Sequence, residues 1–359
     1  MKYYLSALLS LFVIIGILLG GLWMWFGFVV LFVVVILGDA LFSEDESQPK
    51  VKYPFALKVP LYLTLPVVAL LLVAFAWSLG SNNDDLFNIA HILSLIFNYD
   101  FILARNVSTG FHYVGAVLGC GFIVASYGTN VGHELIHRAQ NWKLVLVGRW
   151  LLSASCNADF SVEHIYGHHA FVGTKKDPAT AFRGQNVYGF FIKSTALGHV
   201  SAWKIELKRL RKKKHYIFSW NNKILTGYLM SLVWCLLFFY AAAWFGVALF
   251  LAQALLAKFL LEATNYMEHY GLTRDIKTPV GPQHSWNTNK QISGIVLFSL
   301  TRHSSHHEKP KLDYWKLDPY VKAPKMPFGY LTTLLVTMIP PLWKSVIHPL
   351  LDRWEKKLN

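Results

Sequence analysis

Long runs without a charged residue are the feature that most constrains what this chain can fold into. Tyr3 to Gly38 contains no Asp, Glu, Lys or Arg, and neither does Val59 to Asn83. A helix crosses a bilayer with about 20 mostly apolar residues, so each run can span it. The first run is long enough for two spans joined by a tight turn at Gly20-Gly21. We therefore expect an integral membrane protein.

Composition agrees with this assignment and excludes other classes. The chain is 54% hydrophobic and 15% charged, and Lys+Arg (34) exceeds Asp+Glu (20). In a membrane protein, such an excess marks cytoplasmic loops that face anionic lipid headgroups. No nucleic-acid-binding motif accompanies the charge, so we expect membrane lipid and no nucleic acid as a partner. The cysteines Cys120, Cys156 and Cys235 are far apart and odd in number, which indicates neither a disulfide framework nor a thiolate metal site.

Three further spans follow from the apolar pattern. Asn106 to about Gly132 predicts the fourth, and Ile224 to Ala257 predicts two more with a turn near Trp244-Phe245-Gly246. Leu86 to Phe97 is too short to cross and should lie at the interface. Tyr330 to Ile347 contains a Pro-Pro pair that favours an interfacial or docking segment over a seventh span. The fold class is thus all-α, an integral membrane protein with six transmembrane helices.

Basic residues predict the orientation. The region from 138 to 223 contains a basic stretch, whereas the segment from Asp84 to Arg105 has almost no basic residue, so both termini should be cytoplasmic. The basic stretch consists of Lys208, Arg209, Arg211, Lys212, Lys213 and Lys214. We divide the chain into spans one to four (1–132), a cytoplasmic region (133–223), spans five and six (224–268) and a second cytoplasmic region (269–359).

Nine of the fifteen histidines cluster in four short segments at predicted helix ends on the cytoplasmic side. They are His133, His137, His164, His168, His169, His269, His303, His306 and His307. Spacings of three and four residues predict that each set points its rings to one face of a helix. Imidazole is a good ligand for iron, zinc or copper, and nine exceed the six ligands of one octahedral ion. The count therefore predicts two metal ions, with the isolated His91, His112, His199, His215 and His348 outside the site.

Carboxylates are expected in an outer layer, because an all-imidazole shell leaves the metal charge uncompensated and its rings unoriented. Glu134, Glu163 and Glu268 adjoin cluster histidines, and Asp177 follows the second cluster. We place Asn265 and His284 in the same layer.

Two other classes of function compete at this point. His133 to His137 reads H-E-x-x-H, the signature of a zinc protease with Glu134 as general base. Such an enzyme leaves most of the clustered histidines without a role. The metal-transporter alternative is weakened because the histidines lie at helix ends and no series of ionisable side chains runs through the spans.

At these residues the sequence resembles the membrane alkane 1-monooxygenases of the fatty-acid desaturase and hydroxylase superfamily, from about Leu118 to the C-terminus. The most specific segments are Glu163–Ala179, Asn265–Leu272 and Arg302–His307, and Pro324–Trp343 resembles the family's tail.

The chain departs from the family pattern without touching the clustered histidines. Arg138 stands where lysine is frequent, Thr301-Arg302 replaces a Gln-Arg pair, Ser305 replaces an aspartate, and Gly173 to Lys176 replaces a more acidic segment.

The resemblance implies a non-haem di-iron enzyme of the bacterial inner membrane with two iron ions held by the nine histidines. It implies insertion of one atom of O2 into a terminal C–H bond of an alkane or similar hydrophobic substrate. A lipid desaturase and an aromatic-methyl hydroxylase of the xylene type are the related alternatives. Electrons should come from a rubredoxin or ferredoxin-type donor with its reductase, because the chain has no flavin or iron-sulfur motif. The basic stretch could dock an acidic donor or bind anionic lipid.

Overall fold

The structure is a computed structural model that describes residues 2–48, 51–81 and 84–358. Asn83, the last residue of the third predicted span, lies outside the described residues. Within the described ranges the chain is helical, and its β-pairing is limited to isolated bridges between Glu44 and Lys290 and between Asn287 and Lys325. The helices are α1 Leu5–Leu19, α2 Phe26–Leu41, α3 Pro54–Ser78, α4 Ile89–Phe97, α5 Phe101–Asn106, α6 Gly110–Ile123, α7 Asn130–Ile136, α8 Trp142–Ser153, α9 Phe160–Glu163, α10 His169–Phe171, α11 Val187–Lys212, α12 Lys223–His269, α13 Gln291–Val296, α14 His303–Glu308, α15 Tyr330–Thr337 and α16 Pro340–Leu358.

Helices α1 and α2 form the predicted hairpin. Gly20 and Gly21 both have positive φ (68° and 53°), a backbone conformation that glycine adopts without steric cost. Gly27 on α2 packs directly on the backbone of Val13 on α1, so the two helices approach closely. The turn therefore lies where the sequence predicts it.

Five helical stretches of the described chain are long and apolar enough to cross a membrane: Lys2–Leu19, Gly21–Leu41, Pro54–Ser78, Gly110–Ile136 and Lys223–His269. The first four correspond to the first four predicted spans. Leu86–Phe97 is a shorter apolar helix, as its length predicts, and its interfacial position stays a prediction.

The fifth stretch, α12, is a hairpin. Ala242 and Ala243 leave helical geometry, with φ +48° at Ala243. The rings of Phe238 and Phe250 lie 5.3 Å apart, whereas twelve residues of straight helix would separate them by about 18 Å. The chain thus reverses two residues before the predicted turn. Six apolar segments result, while six membrane crossings and the cytoplasmic side remain predictions.

Two π-helical segments interrupt the helices beside the histidines. Val124–Thr129 joins α6 to α7 just before His133, and His164–His168 joins α9 to α10. A π-turn holds an extra residue, so it rotates the side chains that follow, and such turns occur frequently at functional sites.

The C-terminal helices α15 and α16 pack against the end of α12, as the docking prediction requires. Trp343 is fully buried, with its ring 5.9 Å from that of Tyr266 and 5.5 Å from that of Tyr270. Both tyrosines flank His269, so the C-terminal helices support the residue on which α12 ends.

Candidate metal centre

The nine clustered histidines meet inside the protein in two groups. In each group the nearest ligand atoms all lie within 4.8 Å of one another. The first group contains His133, His137, His164, His169 and His306, and the second contains His168, His269, His303 and His307. All are buried except the partly buried His169. They come from α7 and the residue after it, the second π segment and the first residue of α10, the end of α12, and helix α14.

The Nε2 atoms face each other at distances that suit a shared cation. In the first group, Nε2 of His164 and of His306 lie 3.0 and 3.2 Å from Nε2 of His169. In the second group, His269 and His303 are 3.2 Å apart at the same atoms. Two nitrogens bound at about 2.1 Å to one metal lie about 3.0 Å apart at a right angle and about 3.4 Å apart at the tetrahedral angle. The donor set therefore fits two metal ions.

The π segment changes which histidines belong together. The spacing of four residues predicts that His164 and His168 share a face, but the structure pairs His164 with His169 and places His168 in the other group. A π-turn closes its hydrogen bond on the residue five positions on instead of four, so it rotates the rings that follow relative to an α-helix. His306 and His307 are likewise divided between the groups, so these two segments supply both sites.

Burial keeps the rings neutral. Loss of hydration, followed by the neighbouring imidazoles, lowers the pKa of His137, His164 and His306 well below its usual value. The pKa of His169 and of His307 is lowered in the same way. At pH 7 these rings are therefore uncharged, which is the form that binds a metal.

Asp177 orients His168 as predicted. Its Oδ2 lies 3.0 Å from His168 Nδ1 and accepts a hydrogen bond of 2.6 Å from Thr180 Oγ1. Burial, the largest single effect, opposes the ionisation of Asp177, but the charge and hydrogen bond of His168 and the hydrogen bond of Thr180 together outweigh it and lower the aspartate pKa. A carboxylate at Nδ1 fixes the ring with Nε2 directed at the centre of the second group.

Glu268 lies closer to the metal-facing atoms than an outer-layer role requires. Its Oε2 is 3.1 Å from Nε2 of His303, and Tyr330 donates a 2.6 Å hydrogen bond to its Oε1. Sequence reasoning missed Tyr330, because 62 residues separate it from Glu268 and no spacing signal links them.

The other predicted outer-layer residues take different positions. Ser201 Oγ donates to Glu163 at 3.3 Å, and Asn265 Nδ2 donates to Glu262 at 3.4 Å. His284 contacts the site through its backbone oxygen, 3.3 Å from His269 Nδ1, while its ring accepts from the amide of Gly281.

Glu134 forms a salt bridge with Arg138 and lies outside both histidine groups. Arg138 also donates to the carbonyl oxygen atoms of Lys311 and Leu312. A zinc-protease base must face the metal-bound water, so this pairing disfavours the protease alternative.

An apolar cavity ends at the two groups. His133, His164 and His303 form its metal end, while Leu31 and Val35 on α2 and Phe122 on α6 line it away from the histidines. From His133 to Phe122 the wall follows one helix for eleven residues, roughly 16 Å at 1.5 Å per residue. The cavity therefore suits an elongated hydrocarbon with one end at the histidines.

The basic stretch lies at the end of α11, where Arg209 binds the buried Glu206 through both carboxylate oxygens. Lys208, Arg211, Lys212, Lys213 and Lys214 are exposed. The next residues carry exposed aromatic rings, with Tyr216, Phe218 and Trp220 85%, 88% and 84% exposed. Aromatic and basic residues together are typical of a membrane interface, and donor docking here stays a prediction.

The solitary histidines lie apart from both groups. His112 accepts a hydrogen bond from the amide of Thr109 at the start of α6, and His348 contacts Tyr270 Oη at 3.0 Å. His91 and His215 are exposed, and His199 contacts Asp159.

Comparison with known proteins gives a consistent result. Residues 109–335 match the family model described as fatty acid desaturase. Alkane 1-monooxygenase 1 of Pseudomonas aeruginosa is 36% identical over 320 residues, which cover 87% of this chain and 78% of that protein. Alkane 1-monooxygenase of Pseudomonas putida is 32% identical over 349 residues, 92% of this chain and 77% of that protein.

A relative named for aromatic substrates also matches. The xylene/toluene monooxygenase hydroxylase component XylM of Pseudomonas putida is 28% identical over 361 residues, 99% of this chain and 90% of that protein. The histidine groups, the apolar helices and these similarities agree on a membrane non-haem monooxygenase, and the chain belongs to the alkane 1-monooxygenase family within the fatty acid desaturase family.

Proposed function

We propose that the protein is a di-iron monooxygenase that hydroxylates a terminal C–H bond of an alkane or a similar hydrophobic molecule with O2. The observation that carries this proposal is the convergence of five and four imidazole nitrogens at the end of one apolar cavity. The nine histidines hold one iron in each group, and bound iron supplies the reduction of O2 and the transfer of an oxygen atom to carbon.

The lining of the cavity supports a hydrocarbon substrate. Leu260, Leu261, Val296 and Leu297 surround the space beside the histidines. An apolar molecule gains free energy on leaving water for such a lining, whereas a charged substrate would lose its hydration without compensation. The long axis aligns the substrate so that its end, and not its middle, meets the reacting oxygen.

The cavity wall excludes water where the reaction occurs. Phe160 stacks on His164 with ring centroids 4.4 Å apart, and Leu300 and Tyr330 border His303 and Glu268. A dry surrounding protects the reactive oxygen from side reactions with solvent.

Electrons come from a rubredoxin or ferredoxin-type protein at the cytoplasmic face of the bacterial inner membrane, with both termini on that side. The exposed lysines at the end of α11 support attraction of an acidic donor. The same lysines, beside exposed aromatic rings, also suit anionic lipid, so the donor test must vary salt.

Metal analysis combined with a substrate series tests the proposal. We expect about two iron atoms per chain in purified protein, and formation of primary alcohols from octane or hexadecane by membranes supplied with a rubredoxin, its reductase and NADH. About one zinc per chain, with no oxidised product, would contradict it.

An aromatic methyl group is the second candidate substrate, supported by the similarity to the xylene/toluene monooxygenase component along 99% of this chain. Including p-xylene in the same assay decides between the substrates by the ratio of their kcat/KM values. A desaturase would instead yield an alkene and no alcohol, which product analysis distinguishes.

A further inference from the structure

A second cavity, polar instead of apolar, reaches the histidines from the other side. It is bordered by His164 and His168 and by the charged side chains of Asp159, Lys258 and Glu262. His164 and Asn265 line both cavities, so they stand between the apolar and the polar space. Polar walls and room for at least one water molecule make this a hydrated space.

A connected set of polar side chains joins this cavity to solvent. His199 on α11, whose side chain is 43% exposed, binds Asp159 Oδ2 through Nδ1 at 2.9 Å. Its Nε2 lies 2.8 Å from the hydroxyl of Tyr228, which also accepts from Trp203 Nε1 at 2.9 Å. His199 and the carboxylate of Asp159 both border the cavity, so a proton on His199 lies at the outer part of the wall, one hydrogen bond from Asp159.

The inner wall continues the set toward the histidines. Lys258 donates to Asn157 Oδ1 at 2.9 Å and to Glu262 Oε1 at 2.7 Å. Asn265 donates to the other oxygen of Glu262, and Glu163 borders the same space beside His164 and His168. Buried charges are costly, and none of these groups belongs to either histidine group, so the positioning of the metals alone does not account for them.

We propose that this set is the route by which protons reach the oxygen-reducing centre, with His199 as the acceptor at the surface and Asp159 as the group that passes the proton to water in the polar cavity. The inference rests on the proposed function. Hydroxylation by O2 needs protons: RH + O2 + 2 electrons + 2 H⁺ gives ROH + H2O, where the donor protein supplies the electrons. A proton route separate from the substrate cavity keeps that cavity apolar.

The charges around His199 suit a proton acceptor. The hydrogen bond with Asp159 raises the pKa of His199, against the effects of burial and of Lys258. The groups that face it are Asp159 from the segment before α9, Tyr228 from the first arm of α12 and Lys258 from the second arm. A raised pKa means that His199 stays protonated to higher pH than a free histidine and can supply Asp159 near neutrality.

Two variants, Asp159→Asn and His199→Gln, test the route, with Asp275→Asn and His91→Gln as exposed controls. We expect all four to keep the wild-type iron content. We expect Asp159→Asn and His199→Gln to lower O2-driven turnover about tenfold or more. This loss is smaller than the ~10²-fold cost of losing a fixed general acid, because water replaces part of the route. Their solvent deuterium isotope effect should rise, since proton delivery becomes slower.

Peroxide-driven turnover separates proton delivery from a structural role. Hydrogen peroxide brings its own protons, as RH + H2O2 gives ROH + H2O, so both variants should match wild type in that reaction. Equal loss in the O2-driven and peroxide-driven reactions, loss of iron, or an unchanged O2-driven rate would each overturn the route.

A measurement without turnover tests the surface group in metal-free protein. Carbethoxylation of His199, followed by mass spectrometry against pH, should show a midpoint above that of N-acetylhistidine, and Asp159→Asn should lower it. A wild-type midpoint equal to that of N-acetylhistidine would overturn the assignment of the acceptor. If wild type hydroxylates no substrate, the proposed function fails and the route with it, whereas active wild type with unaffected variants refutes the route alone.

Discussion

The Nε2 atom of His169 lies 3.0 Å from that of His164, five residues earlier in the chain. A π-turn lies between them, and it closes its hydrogen bonds on the fifth residue instead of the fourth, which rotates the rings relative to an α-helix. His168, between the two, is thereby turned to the second group, where its Nε2 lies 3.3 Å from that of His307. The segment 164–169 thus supplies histidines to both groups and fixes their relative position.

Removing one histidine from each group should give separable losses of metal. We expect His169→Ala to lower the iron bound by the five-histidine group and His269→Ala to lower that of the four-histidine group, each toward about one iron per chain. Both should abolish hydroxylation and leave the protein in the membrane, because the apolar helices are untouched. Iron analysis of membranes and purified protein checks this, and His112→Ala, at the far end of α6, should lose no iron. Identical results for all three variants would contradict the separation.

Asp177→Asn should weaken metal binding without removing a ligand. The substitution retains the shape but removes the negative charge that orients His168, and loss of such a partner typically costs about 10- to 100-fold in metal affinity. Competition with a chelator of known affinity measures the change. Asp275→Asn, at an exposed aspartate, is the matched control. Equal chelator sensitivity of both variants would remove Asp177 from the site.

Leu31→Trp should shift the substrate preference toward shorter molecules. Leu31 is buried on α2 and lines the apolar cavity away from the histidines, so a larger ring shortens the space. We expect kcat/KM for hexadecane to fall about tenfold relative to octane, the scale of a lost fit in an apolar pocket. Leu37→Trp, at an exposed position of the same helix, should leave the ratio unchanged. A uniform loss on both substrates would indicate misfolding instead.

Charge reversal of Lys212, Lys213 and Lys214 to glutamate should slow reduction by an acidic donor at low salt. The cause is the loss of long-range attraction, which weakens as salt shortens the Debye length. Stopped-flow reduction at two ionic strengths measures it, with the exposed Lys356 and Lys357 reversed as the control. Peroxide-driven turnover should stay constant. Salt-independent reduction in every protein would assign the lysines to the lipid surface.

Gly246→Ala should destabilise the α12 hairpin. An added methyl group would overlap the carbonyl oxygen of Phe238 on the opposing arm, whereas one at Gly110 meets open space. Overpacking of this kind typically costs about 1–3 kcal/mol. Thermal unfolding in detergent should show a lower midpoint for Gly246→Ala than for Gly110→Ala. A Gly246→Ala midpoint at the wild-type value would refute the close packing of the arms.

The sequence predicts most of the fold because membrane spans are a matter of length and apolarity. Charge-free runs locate the α1–α2 hairpin at Gly20-Gly21 and the reversal of α12 to within two residues. The break itself falls at Ala243, which is not a glycine and gives no sequence signal for a turn. Clustering alone selects the nine histidines that meet in the structure.

Their division between two groups lies beyond sequence reasoning of this kind. An α-helical period joins His164 to His168, but the π-turn joins His164 to His169, and packing decides which period a short segment adopts. Distant contacts are hidden for a similar reason. Tyr330 reaches Glu268, and His199 reaches Asp159, only after the helices pack.

The packing of Trp343 gives the C-terminal helices a role in forming the metal site. Its ring packs against Tyr266 and Tyr270, which flank His269 in the chain, and Leu351 lies against Gly271. A stop codon after Ile339 would remove His348 but leave all nine clustered histidines in place and every long apolar helix able to insert. The last turn of α12 would nevertheless lose these packing contacts. The truncated protein should therefore reach the membrane but fail to bind its metal ions.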